Sequence, residues 1–319
     1  MSKASLYTIG NLTIDDIVLW PSGQTWMGQA GGNVLFSAIG ARVWLDEVHI
    51  LARLGSDYPL QKLNEMEGRG IYPRLSRSEA PTLHDWALYE ANGGRQFINH
   101  INSGSNEEAT IDADEISAEY LRGRAYHLAP VPTEQQARLV NRLKSSGGII
   151  SLDPHENWII GHEEILYRTL KDVDFFLPSE VEAKRLFGAN TPEDAIQAFA
   201  KLGPRAVVIK LGAEGSLVFD TLNNQTVHVP PFPADVRDTT GAGDAYCGGF
   251  LAGYLLTQDP LTAAQYGTVS ASYVIEAIGA LSTVQPTWED ARARLATIIE
   301  NTHHPHASHN EVKNGLQQN

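Results

Sequence analysis

Val236–Phe250 reads VRDTTGAGDAYCGGF, and this stretch decides how the rest of the chain is read. The β-like segment Val227–Val236 (VHVPPFPADV) precedes it. The segment Ala242–Leu256 (AGDAYCGGFLAGYLL) follows it as an amphipathic helix broken by small residues. A glycine-rich turn therefore feeds straight into a helix N-terminus. Gly241, Ala242 and Gly243 can aim backbone N–H groups at one point, reinforced by the positive end of the helix dipole. Such a hole suits the charge on a phosphoryl group in transfer. Asp244 sits at its lip, where a carboxylate can accept the proton of an attacking alcohol. The plainer alternative is a tight turn, with Asp244 serving only the helix start.

Outward from this turn, strand and helix patterns alternate. Leu6–Ile9, Val48–Leu51, Ala125–Leu128, Gly148–Asp153, Phe175–Leu177 and Ala206–Leu211 read as buried strands. Helices are expected at Gly32–Trp44, Tyr58–Gly68 and Thr133–Ser145, after Thr191-Pro192, from Pro260 towards Ile278, and after Pro286-Thr287. Thr133 and Gln136 have the spacing of a capping box. So do Ser179 and Glu182, ahead of a helix ending at Gly188. Apolar runs such as AVVIKL, spaced by helices, predict a parallel sheet covered on both faces.

Asn11–Gln29 and Thr82–His100 break the alternation. The second reads as a hairpin, LHDWALYE and RQFIN about the turn Ala91-Asn92-Gly93-Gly94. Together they are either a flap over one end of the sheet or surface decoration. Their Trp20, Trp26 and Trp86 either stack on a ligand or pin the flap. Residues 1–300 are expected to form one domain, and 301–319, polar with four His, a disordered tail.

The chain has 319 residues, 42% hydrophobic, with 24 Lys and Arg against 38 Asp and Glu, net −14. This charge argues against nucleic-acid partners and against an anionic membrane. One cysteine, Cys247, excludes an internal disulfide framework and a cysteine-built zinc site. No signal peptide or spanning segment is visible, which fits a cytoplasmic protein.

DTTGAGDAYCGGF resembles the C-terminal signature of the PfkB-type carbohydrate kinases, the ribokinase-like group. Other landmarks follow in order over about residues 5–298. Gly10–Asp15 is similar to the family's G-x-x-x-x-D, and Ala30-Gly31-Gly32-Asn33 resembles its di-glycine substrate turn. Leu54–Asp57 resembles the next G-x-D, and Leu177–Glu182 the P-N-x-x-E near magnesium. Leu211–Gly215 and Gly279-Ala280 resemble nucleotide-side turns. The resemblance implies a three-layer αβα sandwich with a β-lid from about 11–29 and 82–100. It also implies ATP and Mg²⁺. Asp15, Gly31, Gly32 and Asn33 would bind the acceptor, and Lys210, Gly212, Gly215, Gly279 and Ala280 the nucleotide. Glu182 would organise Mg²⁺ through water, and the carbonyls of Asp238 and Thr240 would hold K⁺. Dimerisation through the lid is common in the family.

Several positions depart from the pattern. Ser179 replaces the family's Asn, while Phe36 and Ala129 stand where ribokinases place sugar-binding Asn and Glu. Two lost polar partners argue against a bare pentose. No Lys or Arg occurs between Ala4 and Ala41, which points to an uncharged acceptor unless Arg53 or Arg95 reaches in. Lys210 either meets phosphate or reaches solvent. Asp153 faces the ligand side of the sheet, and His127 and His155 read as structural. The expected activity is ATP-dependent phosphorylation of an alcohol on a sugar-like acceptor. The alternatives are a nucleoside kinase, with Phe36 and lid tryptophans stacked on the base, and a silent sugar- or nucleotide-binding sensor.

Overall fold

The computed structural model describes residues 5–20, 22–90, 94–188 and 191–303, without the side chains of Arg95 and His303. Its strands are β1 (Leu6–Ile9), β2 (Thr13–Leu19), β3 (Gln24–Gly31), β4 (Val48–Leu54), β5 (Ile71–Arg77), β6 (Leu83–Tyr89), β7 (Arg95–Asn99), β8 (Ala125–Leu128), β9 (Ile149–Leu152), β10 (Phe175–Phe176), β11 (Ala206–Lys210), β12 (Ser216–Asp220) and β13 (Gln225–Val229). Its helices are α1 (Asn33–Arg42), α2 (Leu60–Gly68), α3 (Asn106–Ala109), α4 (Thr133–Leu143), α5 (Glu156–Ile159), α6 (Glu163–Thr169), α7 (Glu180–Phe187), α8 (Pro192–Ala200), α9 (Ala242–Thr257), α10 (Pro260–Val274) and α11 (Trp288–His303).

Nine strands form one sheet in the order β13-β12-β11-β10-β9-β8-β1-β4-β5. From β5 to β11 every pairing is parallel, and β12 and β13 close that edge as antiparallel strands. Each strand feeds two cores. In β11, Ala206 and Val208 join one hydrophobic cluster while Val207 and Ile209 join the other. The first cluster takes in Val34 of α1, Met66 of α2, Phe250 of α9, Val269 of α10 and Ile298 of α11. The second takes in Leu139 of α4, Leu166 of α6, Leu186 of α7 and Phe199 of α8. This is the expected αβα sandwich, and its period-two burial follows from alternating side chains on strands covered on both faces.

The two irregular stretches make a separate sheet in the order β3-β2-β6-β7, with β6 and β7 paired as a hairpin in which Tyr89 stands opposite Arg95 and Glu90 N–H donates to Gly94 O, so Gly94 belongs to the pairing and not to the turn. The hairpin turn Ala91-Asn92-Gly93 lies outside the described residues. So does 304–319, while α11 runs through Asn301–His303, the first three residues read as tail.

Two local readings are corrected. Thr133 is not a cap: helix α4 starts on it after Pro132, and its hydroxyl donates to Trp158 O. Gln136 instead donates to Ala129 O and Asp153 O, tying the ends of β8 and β9 together. Nor is α9 amphipathic. Ala245 to Leu255 are all buried, as in a helix that is apolar all round. Its small residues are where neighbours come close: Gly248 faces Ser37 of α1 and Gly249 faces Ser270 of α10.

Candidate active site

A cleft of about 380 Å³ opens at the C-terminal ends of the parallel strands, under the four-stranded sheet. Pro130 follows β8, Asp153 follows β9 and Lys210 ends β11. The strand order reverses direction at β1 and β8, the place where open α/β sheets bind ligands. The lid sheet contributes Thr13, Asp15, Asp85 and Phe97 as a roof, and the N-terminus of α9 forms one wall with Thr239, Thr240, Gly241, Gly243 and Asp244. A larger groove of about 730 Å³ runs past Arg53, Asp112, Glu115 and Arg138, but it shares no residue with this cleft.

The α9 end opens onto the cleft without a side-chain cap. Gly241 adopts a left-handed conformation (φ 74°), and no side chain caps the helix. A Cβ on Gly241 would stand 2.1 Å from Cγ of Phe36, so the aromatic ring is the floor on which the turn rests. The first helical bond is Ala245 N–H to Gly241 O (2.8 Å), and Ala242 N–H reaches Thr239 O at 3.3 Å. The Gly243 amide has no acceptor within the helix and lies on the cleft wall. Half-buried Asp244 lines the same wall one residue on.

Opposite stands a dense polar cluster. Lys210 Nζ binds Asp153 Oδ2 at 2.5 Å, and Cys247 Sγ lies 3.4 Å from the same oxygen. Burial pushes the Asp153 carboxyl up, Lys210 pulls it down, and Glu182 raises it again. Burial works against the Lys210 charge, but Asp153 and Glu182 more than offset it and keep the ammonium protonated. Lys210 is thus neither solvent-exposed nor a lone phosphate ligand. It is a largely buried, paired cation beside the α9 turn, 3.5 Å from where a Cβ on Gly243 would stand. The capping box at α7 is present: Ser179 Oγ receives Glu182 N–H, and Glu182 Oε2 accepts from Ser179 N at 2.6 Å. Lys210 N–H donates to Pro178 O, which brings this helix end beside β11.

On the roof, Asp15 is buried, and desolvation raises its pKa to about 7, with Asp85, Asp238 and Asp16 adding to the rise. Its described hydrogen-bond partner is the Thr13 hydroxyl, 2.7 Å away. Gly31 pairs with Thr13 at the end of β3. Gly32 (φ 100°) precedes α1, and a Cβ there would strike Asn11 O at 2.2 Å. Asn33 borders the cleft, but its amide also works as a clamp: Oδ1 accepts from Asn11 N at 2.9 Å and Nδ2 donates to Pro130 O.

Asp238 and Thr240 are joined to the lid. The Tyr89 hydroxyl donates to Asp238 Oδ1 at 2.6 Å and contacts Thr240 Oγ1, while Thr240 N–H donates to Asp238 Oδ1 at 2.7 Å. Gly212 and Gly215 shape the β11–β12 turn, Leu211 N–H binding Gly215 O, and Gly279 with Ala280 packs beside Gln29 of β3. None of these four lines the cleft.

Arg53 turns away to Glu115 and Asp112, so Lys210 is the one Lys or Arg among the described residues lining the cleft. Phe36 is only 4% exposed, which leaves little ring face for a base. Trp20 is exposed and Trp26 borders a different hollow, so neither tryptophan reaches the cleft. His127 binds Ser151, and burial lowers its pKa to about 3; His155 caps α5 from the cleft wall. Asp85, Tyr89, Phe97 and Trp158 were missed by the reading of the sequence. Asp85 carried a signal, since it shares the strand face of buried Leu83 and Ala87.

Comparison with known proteins agrees with this architecture. Residues 5–288 match the pfkB family carbohydrate kinase. The cytidine kinase of Thermococcus kodakarensis is 30% identical over 254 residues, covering 78% of this chain and 88% of that protein. Ribokinase of Arabidopsis thaliana, solved with ribose and ATP, superposes with a TM-score of 0.73 at 24% identity, covering 92% of this chain and 99% of that one. An E. coli protein described as a ribokinase II, solved with ATP and Mg²⁺, gives a TM-score of 0.76 at 22% identity, covering 93% and 100%. No described helix is long and apolar enough to cross a membrane. The chain belongs to the pfkB carbohydrate kinase family, enzymes that move a phosphoryl group from ATP to an alcohol.

Proposed function

We propose that this kinase phosphorylates an uncharged, hydroxyl-rich acceptor held between the roof and the α9 turn. The observation that carries the reading is the uncapped, left-handed start of α9 facing the cleft with Asp244 beside it. Asp244 takes the proton of the attacking hydroxyl as its oxygen bonds to phosphorus. The amides of Gly241 and Gly243, joined by that of Ala242 when it gives up its long bond to Thr239 O, hold the charge of the transferring group with Lys210 behind them. Asp15 accepts acceptor hydroxyls, and Gly32 and Asn33 keep the roof-to-body joint tight, so that acceptor and phosphoryl group meet in line. Closure of the lid excludes water.

The donor set suits Mg²⁺, because Glu182, Asp153 and Asp244 present hard carboxylate oxygens along the phosphate path. When bound, Mg²⁺ neutralises triphosphate charge. Nucleotide contacts by Gly212, Gly215, Gly279 and Ala280, and K⁺ at the carbonyls of Asp238 and Thr240, rest on the family resemblance. A protein whose lid carries exposed Trp20, Met27, Ile98 and Ile101 offers a face for a second copy, which sedimentation would test. The domain runs to the end of α11 at His303.

A nucleoside acceptor is the second reading, favoured by the identity to a cytidine kinase, and Phe97 on the roof and Trp158 on the wall are the rings that line the cleft for it. ADP release over a panel of sugars and nucleosides, with and without K⁺, decides between them. Turnover of a phosphorylated sugar in preference to its unphosphorylated form would overturn the uncharged-acceptor reading. Ligand binding without turnover across the panel would favour a sensor.

A further inference from the structure

The face of the lid turned away from the cleft carries a cluster the phosphoryl chemistry does not use. Asp15, Asp85 and Asn99 lie on the cleft side, Asn99 donating to Asp85. Their neighbours Asp16, His84 and His100 therefore point the other way. His84 Nε2 and His100 Nε2 lie 3.0 and 3.1 Å from the same oxygen, Asp16 Oδ2. The three ligand atoms sit within 4.8 Å of one another.

We propose that Asp16, His84 and His100 bind a borderline divalent cation, Zn²⁺ or a close relative, on the outer face of the lid. Four physical observations support it. Ligands about 2.0–2.1 Å from a tetrahedral ion stand roughly 3.3 Å apart, close to the spacing found here. Two imidazoles and one carboxylate form a donor set that suits Zn²⁺ far better than Mg²⁺. Asp16 is 5% exposed, and its other oxygen accepts the Gly28 N–H at 2.6 Å, which aims Oδ2 at the histidines. His100 Nε2 is buried and, despite its closeness to Asp16, makes no hydrogen bond of good geometry. The two imidazoles are stacked with centroids 3.8 Å apart, so a ring rotation must accompany binding to bring both lone pairs onto one ion.

The site joins β2, β6 and the end of β7 directly, and β3 through Gly28. An ion there would staple all four strands of a thin sheet. It would be independent of the nucleotide-bound Mg²⁺, which belongs to the opposite face.

Trp86 stacks on His100 with ring centroids 4.6 Å apart and supplies the readout. Full-length protein stripped with EDTA is titrated with Co²⁺ by tryptophan fluorescence and with Zn²⁺ by calorimetry. The expected result is saturable Co²⁺ quenching of Trp86 emission at one ion per chain. Trp86→Phe loses the quench yet keeps Zn²⁺ binding. His84→Asn/His100→Asn weakens that binding at least about a hundredfold. Asp16→Asn keeps an acceptor for Gly28 and weakens it at least about tenfold, which covers a double variant that does not fold. The histidines of 301–319 can bind a further ion, and that binding survives in every variant, so only the difference from wild type is read. Absence of quenching up to millimolar Co²⁺, or a folded double variant that binds like wild type, overturns the proposal.

Discussion

Two helix N-termini meet at the cleft and end in opposite ways. At α7, Ser179 and Glu182 exchange hydrogen bonds and close the end on itself. At α9, Gly241 turns through a left-handed conformation, no side chain caps the end, and Phe36 fills the space beneath. Both ends carry the same dipole and the same orphan amides. A helix end that satisfies itself contributes stability, whereas one left uncapped inside a polar cleft is kept for a ligand. The difference between the two ends, rather than either glycine or carboxylate alone, is what supports placing the proposed chemistry at α9.

The contrast breaks first at Asp244. Asp244→Asn keeps the size of the side chain and removes the proposed proton acceptor, so kcat should fall by about 10²–10⁴-fold. Substrate binding followed by calorimetry should change far less. A variant turning over within about tenfold of wild type would make α9 another structural end.

Carboxylates sharpen the comparison next. Glu182 Oε2 is held by two donors from Ser179, while Asp15 is buried with one described donor, the Thr13 hydroxyl. The unfolded chain releases the Asp15 proton near its ordinary value of 3.8, but the folded protein holds it to about 7. Folding therefore takes up a proton between these values, and stability falls as pH rises through that window, then levels off. Asp15→Asn removes this penalty. It should raise stability by up to about 4 kcal/mol at pH 8, and by nothing near pH 3, while raising KM for the acceptor. Melting curves with equal gains at both pH values would contradict the burial argument.

Much of this was legible in the sequence, for reasons that differ by residue. The capping box at Ser179 and Glu182 is a local pattern, and it is present. Apolar runs such as Ala206–Ile209 declare strands covered on both faces, and Gly241 ahead of α9 marks a left-handed turn that favours glycine. What stayed hidden depends on distant partners. The Lys210–Asp153 pair joins residues 57 positions apart, and the Tyr89–Asp238 bond joins residues 149 apart. By family pattern Phe36 shows only as a departure from a sugar-binding position. Its packing under Gly241, from α1 to the start of α9, has no trace in local spacing. Thr133 and Gln136 show the converse: the right spacing for a box, with both side chains drawn off to longer-range carbonyls.

Gly241→Ala presses on that hidden contact. The left-handed backbone costs an alanine roughly 1–2 kcal/mol, and the new methyl must push Phe36 aside. Loss of kcat should exceed loss of stability, since the amides move with the turn. Adding Phe36→Leu should restore part of the activity, the positive coupling expected of residues in contact. Equal losses with and without the second change would mean that Phe36 does not set the turn.

Ser179→Ala is the smallest change and the complement of the others. It removes the hydroxyl that receives Glu182 N–H and contacts Glu182 Oε2, and leaves the Ser179 backbone donor in place. The loss of a cap costs about 1 kcal/mol, seen as a lower melting temperature. Because one donor still holds Glu182 and the α9 end is untouched, kcat should stay within about threefold at saturating Mg²⁺, a change near 0.65 kcal/mol in the barrier. The Mg²⁺ concentration giving half-maximal rate is the discriminating measurement. If it is unchanged, the α7 end is a purely structural cap; if it rises, the freed Glu182 carboxylate was being aimed at the metal by its own helix. A drop in kcat as large as that of Asp244→Asn would erase the distinction between the two ends.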